Sequence, residues 1–307
     1  MGWLFRGHVD HAGSTEWIEM GEFEIAHRPG TVVAVPSPSP ERTSATTVAW
    51  MESTPDLPFD AIETIRTDGV GFIDLVRDND PSTPVRTCPG WTLADLAYHQ
   101  GEVWHFWGRI VAGDITERGQ LQTIRQITRP DGAFLVDWLA TTHNELFSAL
   151  VDAGTEQEVW TWTGANRDTG WVRRRMVHET AVHRFDAADA VGGPYEIPTV
   201  VAADGIDEFL MWFLGRERRE GEMRVGGTVH LHCTDTTEAD TAGGEWFVSS
   251  VKEPSATFTR EHRKGDAAVR GRAHDLLMWL WRRSDTGVEI IGDEVVARRF
   301  RAYTDLD

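Results

Sequence analysis

The spacing of apolar residues changes once along this chain, near Gly221, and that change limits what it can fold into. Upstream, from Pro58, apolar side chains recur every three or four residues, as amphipathic helices require. Downstream they alternate, as in half-buried strands. Within 58–76 the apolar set Phe59, Ile62, Ile65, Val70, Phe72, Ile73 and Leu75 predicts a first helix. Thr92, with Asp95 three residues on, reads as an N-cap and an acidic first turn, so a second helix is expected over 93–111. A third is expected over 133–151, weakened by the polar stretch 141–144. A fourth runs from Trp171 through Ala190 and stops at Gly192-Gly193-Pro194. Four such helices predict a bundle, and a further helix over 200–218 leads out of it.

Beyond Gly221, residues 228–234 alternate Val229, Leu231 and Cys233 with His230 and His232. Strands are also expected at 246–251, 256–259 and 288–291, and an apolar helix at 273–283. The fold class is therefore α+β. Its expected domains are a helical bundle over 51–222 and a small α/β unit over 223–307. Residues 1–50, with a Pro/Ser stretch and no sustained helical period, are expected to be a poorly ordered N-terminal extension, with Met51 as the original first residue.

Composition narrows the function. In 307 residues, 30 basic side chains face 49 acidic ones, a net charge of −19, which argues against a nucleic-acid groove. No stretch approaches the ~20 apolar residues of a membrane span, and the N-terminus lacks a secretory pattern. Two cysteines, Cys88 and Cys233, provide no disulfide framework. The expected location is the cytoplasm, and a monomer is compatible with the sequence. Eleven of the 14 tryptophans fall between Trp91 and Trp281 and are expected to fill cores and line a cleft.

The chemistry concentrates in Arg173-Arg174-Arg175-Met176-Val177-His178-Glu179-Thr180-Ala181-Val182-His183. His178 and His183 point about 140° apart around a helix and cannot easily share an ion, whereas Glu179 and His183 lie within about 40° of one face. With His99 from the second helix, that pair would form a three-ligand site with open positions, suited to a borderline divalent metal. A polar pair spaced i,i+4, with no ion, explains the spacing as well. His230 and His232 share a strand face, but without a third ligand in view they read as an exposed polar face. Cys88, in a turn, reads as structural.

The run Thr87-Cys88-Pro89-Gly90-Trp91-Thr92-Leu93-Ala94-Asp95-Leu96, with His99 following, resembles the CPGW(T/S)xxDLxxH signature of the mycothiol-dependent maleylpyruvate isomerase family. Arg174-Arg175-Met176 through Asp186-Ala187 is similar to its second block. Leu231-His232-Cys233-Thr234-Asp235, Gly244-Glu245-Trp246 and Asp275-Leu276-Leu277 with Trp279-Leu280-Trp281 are similar to its C-terminal domain. The resemblance implies a DinB-like four-helix bundle followed by a small sterol-carrier-like α/β domain, with zinc held by His99, Glu179 and His183 and mycothiol as the thiol cosubstrate. It implies a catalytic role for Arg283, toward a substrate carboxylate or enolate, although Arg282 stands where the family pattern has glycine.

The expected partners are a small-molecule thiol and a small electrophilic or dicarboxylate substrate. The implied reaction is cis-trans isomerisation of a maleyl-type compound. A mycothiol S-transferase needs the same ligands, and a non-catalytic protein braced by a metal would need a fourth, such as Glu102 or His143.

Overall fold

The computed structural model describes residues 6–9, 15–18, 56–125, 127–164, 167–214, 225–237, 241–250 and 256–303. At the N-terminus the backbone of β1 (Arg6–Val9) pairs antiparallel with β2 (Thr15–Ile18). The expectation of poor order for the rest of residues 1–50 lies outside the described residues.

The bundle consists of α1 (Ala61–Asp78), α2 (Leu93–Ala112), α3 (Gly132–Ala153) and α4 (Thr169–Ala190). Asp60 caps α1 by accepting from the Glu63 amide at 3.0 Å. Thr92 and Asp95 form the expected reciprocal capping box of α2. The turn before it closes through Trp91 N–H to Cys88 O at 3.0 Å, and Gly90 sits at φ 88, where a side chain would be strained.

α2 packs on α3, and α1 packs on α4. Of the polar stretch that weakens the third helix in sequence, Thr141 and Asn144 face solvent while Thr142 and His143 are buried. Thr142 donates to Leu139 O, and the His143 ring lies 3.2 Å from Ile65 O, facing α1. Gly69 makes room for that ring, because a Cβ there would come within 2.1 Å of His143 Nε2.

After α5 (Thr199–Trp212) the sheet is built from β3 (Thr228–Cys233), β4 (Glu245–Ser249), β5 (Thr257–Thr259), β6 (Ala267–Gly271) and β7 (Val288–Gly292). Its order is β5-β4-β3-β6-β7, antiparallel except for the β3–β6 pair, which joins Leu231 to Val269 in parallel register. α6 (Ala273–Leu280) packs on α5, and α7 (Glu294–Tyr303) lies near β3, β6 and β7. One continuous apolar core runs from the bundle through α5 and α6 to the sheet.

Two expected helices end early. The helix expected over 200–218 ends at Trp212, with Phe213 as its cap, and residues 215–224 lie outside the described residues. The helix expected over 273–283 ends at Leu280, because Arg282 takes the left-handed conformation, φ 59. Non-glycine residues adopt it at a cost of roughly 1–2 kcal/mol. Arg282 thus occupies the backbone geometry that glycine prefers, and its guanidinium compensates by donating to Arg301 O and Ala302 O at the end of α7. β6 and α7 are elements the sequence reading did not contain. No described helix is long and apolar enough to cross a membrane.

Candidate metal centre

α4 is buried on nearly every face, so each of its polar side chains needs a partner. His178, which the helical angle separates from His183, bonds through Nε2 to Asp204 on α5 at 2.8 Å. Arg174 makes a fork to Asp204, at 2.8 and 3.0 Å, and also reaches Asp207.

One turn of α4 further on, the expected trio comes together. Glu179 Oε1 lies 3.3 Å from His183 Nε2 and 3.6 Å from His99 Nε2 on α2, and the two imidazole rings stand edge to face with centroids 5.1 Å apart. Ligand atoms of all three lie within 4.8 Å of one another. Yet Glu179 Oε1 and His99 Nε2 are buried and have no hydrogen-bond partner. Leaving such atoms unsatisfied costs about 1–3 kcal/mol each. Two imidazole nitrogens and a carboxylate oxygen converging in this way are a donor set that a borderline divalent cation satisfies.

The residues behind the trio fix its orientation. Asp186 Oδ2 lies 2.9 Å from His183 Nδ1, which makes Nδ1 the donor and turns the Nε2 lone pair toward Glu179 and His99. Arg283 grips Asp186 with Nε and Nη2, both at 3.1 Å, while its Nη1 donates to Trp281 O. Glu179 Oε2 accepts from Arg175 Nη2 at 3.1 Å, and Arg175 is paired in turn with Glu208.

Electrostatically the pocket favours a positive charge at its centre. Burial works against the Glu179 carboxylate, but the imidazoles of His183 and His99 close beside it and the charge of Arg175 drive its pKa well below the ordinary value. Burial also opposes a charge on His183, but Asp186 and Glu179 outweigh it and raise its pKa. His99 is pushed down, chiefly by burial, which favours the neutral imidazole that a metal ligand must be.

Cys88 lies beside Asp186, with Sγ 3.5 Å from Oδ2. Burial and that carboxylate push its thiol up to about 11, so it stays protonated and is not a nucleophile near neutrality. Cys88, His183 and Asp186 also converge, but Asp186 is already committed to His183 Nδ1 and Arg283. Glu102, raised to about 7 by burial, does not join the trio among the described residues, and neither does His143.

Sequence reasoning did not single out Asp186, Arg175 or Glu208 as supports. It also missed that Trp91, half-buried in the turn before α2, stands 5.2 Å from the His99 ring. Asp186 was findable, since it is three residues beyond His183. Trp107, Trp160 and Trp171 pack together in the bundle core rather than around the trio.

Asp186→Asn is expected to weaken divalent-metal binding by roughly 10- to 100-fold, the usual effect of removing the carboxylate behind a ligating histidine. Zinc titration of the variant checks this. A change under about twofold would assign Asp186 to the fold alone.

The sequence model for the "Mycothiol maleylpyruvate isomerase N-terminal domain" matches residues 62–188, and that for the "MDMPI C-terminal domain" matches residues 200–299. Among curated proteins no sequence matches the chain. A solved structure described as the mycothiol-dependent maleylpyruvate isomerase is similar, with 13% identity and a TM-score of 0.49, over 75% of this chain and 91% of that one. A histidine-to-alanine mutant of that isomerase gives the same values. With both of its domain models matched in order across most of the chain, this protein belongs to the mycothiol-dependent maleylpyruvate isomerase family of enzymes.

Proposed function

We propose that the protein is a cytoplasmic, zinc-dependent enzyme that activates the thiol of mycothiol for addition to a small electrophile. The bundle of 51–222 supplies the ligands His99, Glu179 and His183, and the unit of 223–307 supplies Arg283. The observation that carries this reading is the convergence of His99 Nε2 and Glu179 Oε1, buried and unpartnered, on His183 Nε2.

A divalent ion in such a site lowers the pKa of a thiol so that thiolate is present near neutral pH. The protein's own residues prepare for this. Asp186 holds His183 in the tautomer that exposes Nε2, Arg175 fixes the far oxygen of Glu179, and Trp91 covers the His99 side. No fourth protein ligand closes the trio among the described residues, which leaves room for thiol or substrate.

With a maleyl-type substrate, a C–S bond forms at one alkene carbon and the electron pair moves toward the conjugated carbonyl. Rotation about the resulting single bond is followed by elimination, which breaks the same C–S bond and returns the thiolate. Nothing is oxidised or reduced. Arg283 acts on the centre through Asp186 as a positioning residue, since its Nε and Nη2 are spent on that carboxylate.

That engagement also favours a second reading, a mycothiol S-transferase, because a substrate without a carboxylate needs no free guanidinium. Turnover of maleylpyruvate and of a generic electrophile, with mycothiol quantified before and after, separates the two. An isomerase conserves the thiol, and a transferase consumes one equivalent per product. No thiol-dependent reaction with either compound would overturn both.

A further inference from the structure

A second convergence of ligating side chains lies in the C-terminal sheet. His230 and His232 leave β3 on one face, Glu245 on β4 stands directly across from His232, and His262 enters from the segment between β5 and β6. Glu245 Oε2 lies 3.2 Å from His230 Nε2 and 2.5 Å from His262 Nδ1, and Oε1 lies 2.8 Å from His232 Nδ1. The His230 ring is 5.0 Å from that of His262 and 5.8 Å from that of His232. Ligand atoms of all four residues lie within 4.8 Å of one another.

A polar strand face that merely met solvent would let its side chains spread. Here three imidazoles from two separate segments turn toward one carboxylate, and one of them, His230, is buried. Three nitrogens and one oxygen form the donor set of a four-coordinate zinc site, in which metal–ligand bonds of roughly 2.0–2.1 Å set the ligands about 3.3 Å apart. The present separations require only side-chain rotation to reach that spacing. The nearby cations have other partners: Arg260 is paired with Asp207, and Arg263 lies near Glu261 and over the Phe247 ring.

We propose that His230, His232, Glu245 and His262 form a second site for a zinc-like divalent cation, independent of the His99, Glu179 and His183 centre. Four protein ligands leave no open position, so the site is structural. It ties the segment around His262 to the sheet, two residues from where Arg260 holds Asp207 on α5 at 2.6 and 2.7 Å.

The test is zinc titration of the full-length protein, with bound metal counted by plasma mass spectrometry. The wild type is expected to bind two equivalents, and His232→Ala/His262→Ala to lose one of them. His99→Ala/His183→Ala is expected to keep one, and in that background added zinc raises the melting temperature, an effect lost on further replacement of His232 and His262. The His262 side chain is 77% exposed and that of His232 31% exposed, so their replacement leaves the fold intact. Equal zinc content in the wild type and His232→Ala/His262→Ala overturns the proposal. If instead the wild type binds one equivalent and this variant binds none, the sheet site stands and the bundle centre fails.

Discussion

His183→Ala is expected to lose one bound divalent ion per chain and to reduce thiol-dependent turnover by about a thousandfold. Metal stabilisation of developing charge is worth several kcal/mol, and each ~1.4 kcal/mol is a factor of ten in rate. His183 is the pivot of the centre, because its Nδ1 is anchored on Asp186 while its Nε2 faces Glu179 at 3.3 Å. The truncation leaves Asp186 paired with Arg283 through two 3.1 Å contacts, so no carboxylate is stranded and the bundle should fold. His178→Ala is the control. It removes an equally buried histidine from the same helix, but one bonded to Asp204, and is expected to keep the ion while losing about 1–3 kcal/mol of stability. Plasma mass spectrometry with thiol-coupled kinetics on both variants decides the matter. Full metal content and turnover in His183→Ala would remove the centre from the mechanism.

What could be seen in advance was whatever local spacing encodes. The Thr92 and Asp95 cap, the ends of the fourth helix and the Glu179/His183 pair are all set by residues a few positions apart, and the structure places them as the spacing implies. β6 escaped notice because Ala267–Gly271 contains a single large apolar residue, Val269, and becomes a strand through pairing with β3 on one side and β7 on the other. The alternation of β3 was legible, but the partners of its histidines were not. Glu245 is set opposite His232 by strand register, and His262 arrives from a different segment. Arg283 was placed beside the centre by resemblance, whereas its attachment to Asp186, 97 positions away, is a property of the packed structure.

Asp207→Ala is expected to destabilise the protein by about 3–5 kcal/mol, the range for removing one partner from a buried charge cluster. Asp207, 2% exposed on α5, is where helices and sheet are tied together. It accepts from Trp246 Nε1 on β4 at 3.0 Å, from both Nε and Nη2 of Arg260, and from Arg174 on α4 at 3.2 Å. The three donors do not suffer equally. Arg174 keeps its fork to Asp204, and Arg260, with 22% of its side chain exposed, can turn to water, but the Trp246 indole N–H is fully buried and has nowhere to go. Arg260→Ala should therefore cost far less, about 1 kcal/mol, as a partly exposed ion pair does. Urea unfolding of both variants measures the difference. A loss below about 1 kcal/mol in Asp207→Ala would mean that Asp204 alone satisfies Arg174 and that apolar packing of α5 on α6 is enough to seat the sheet.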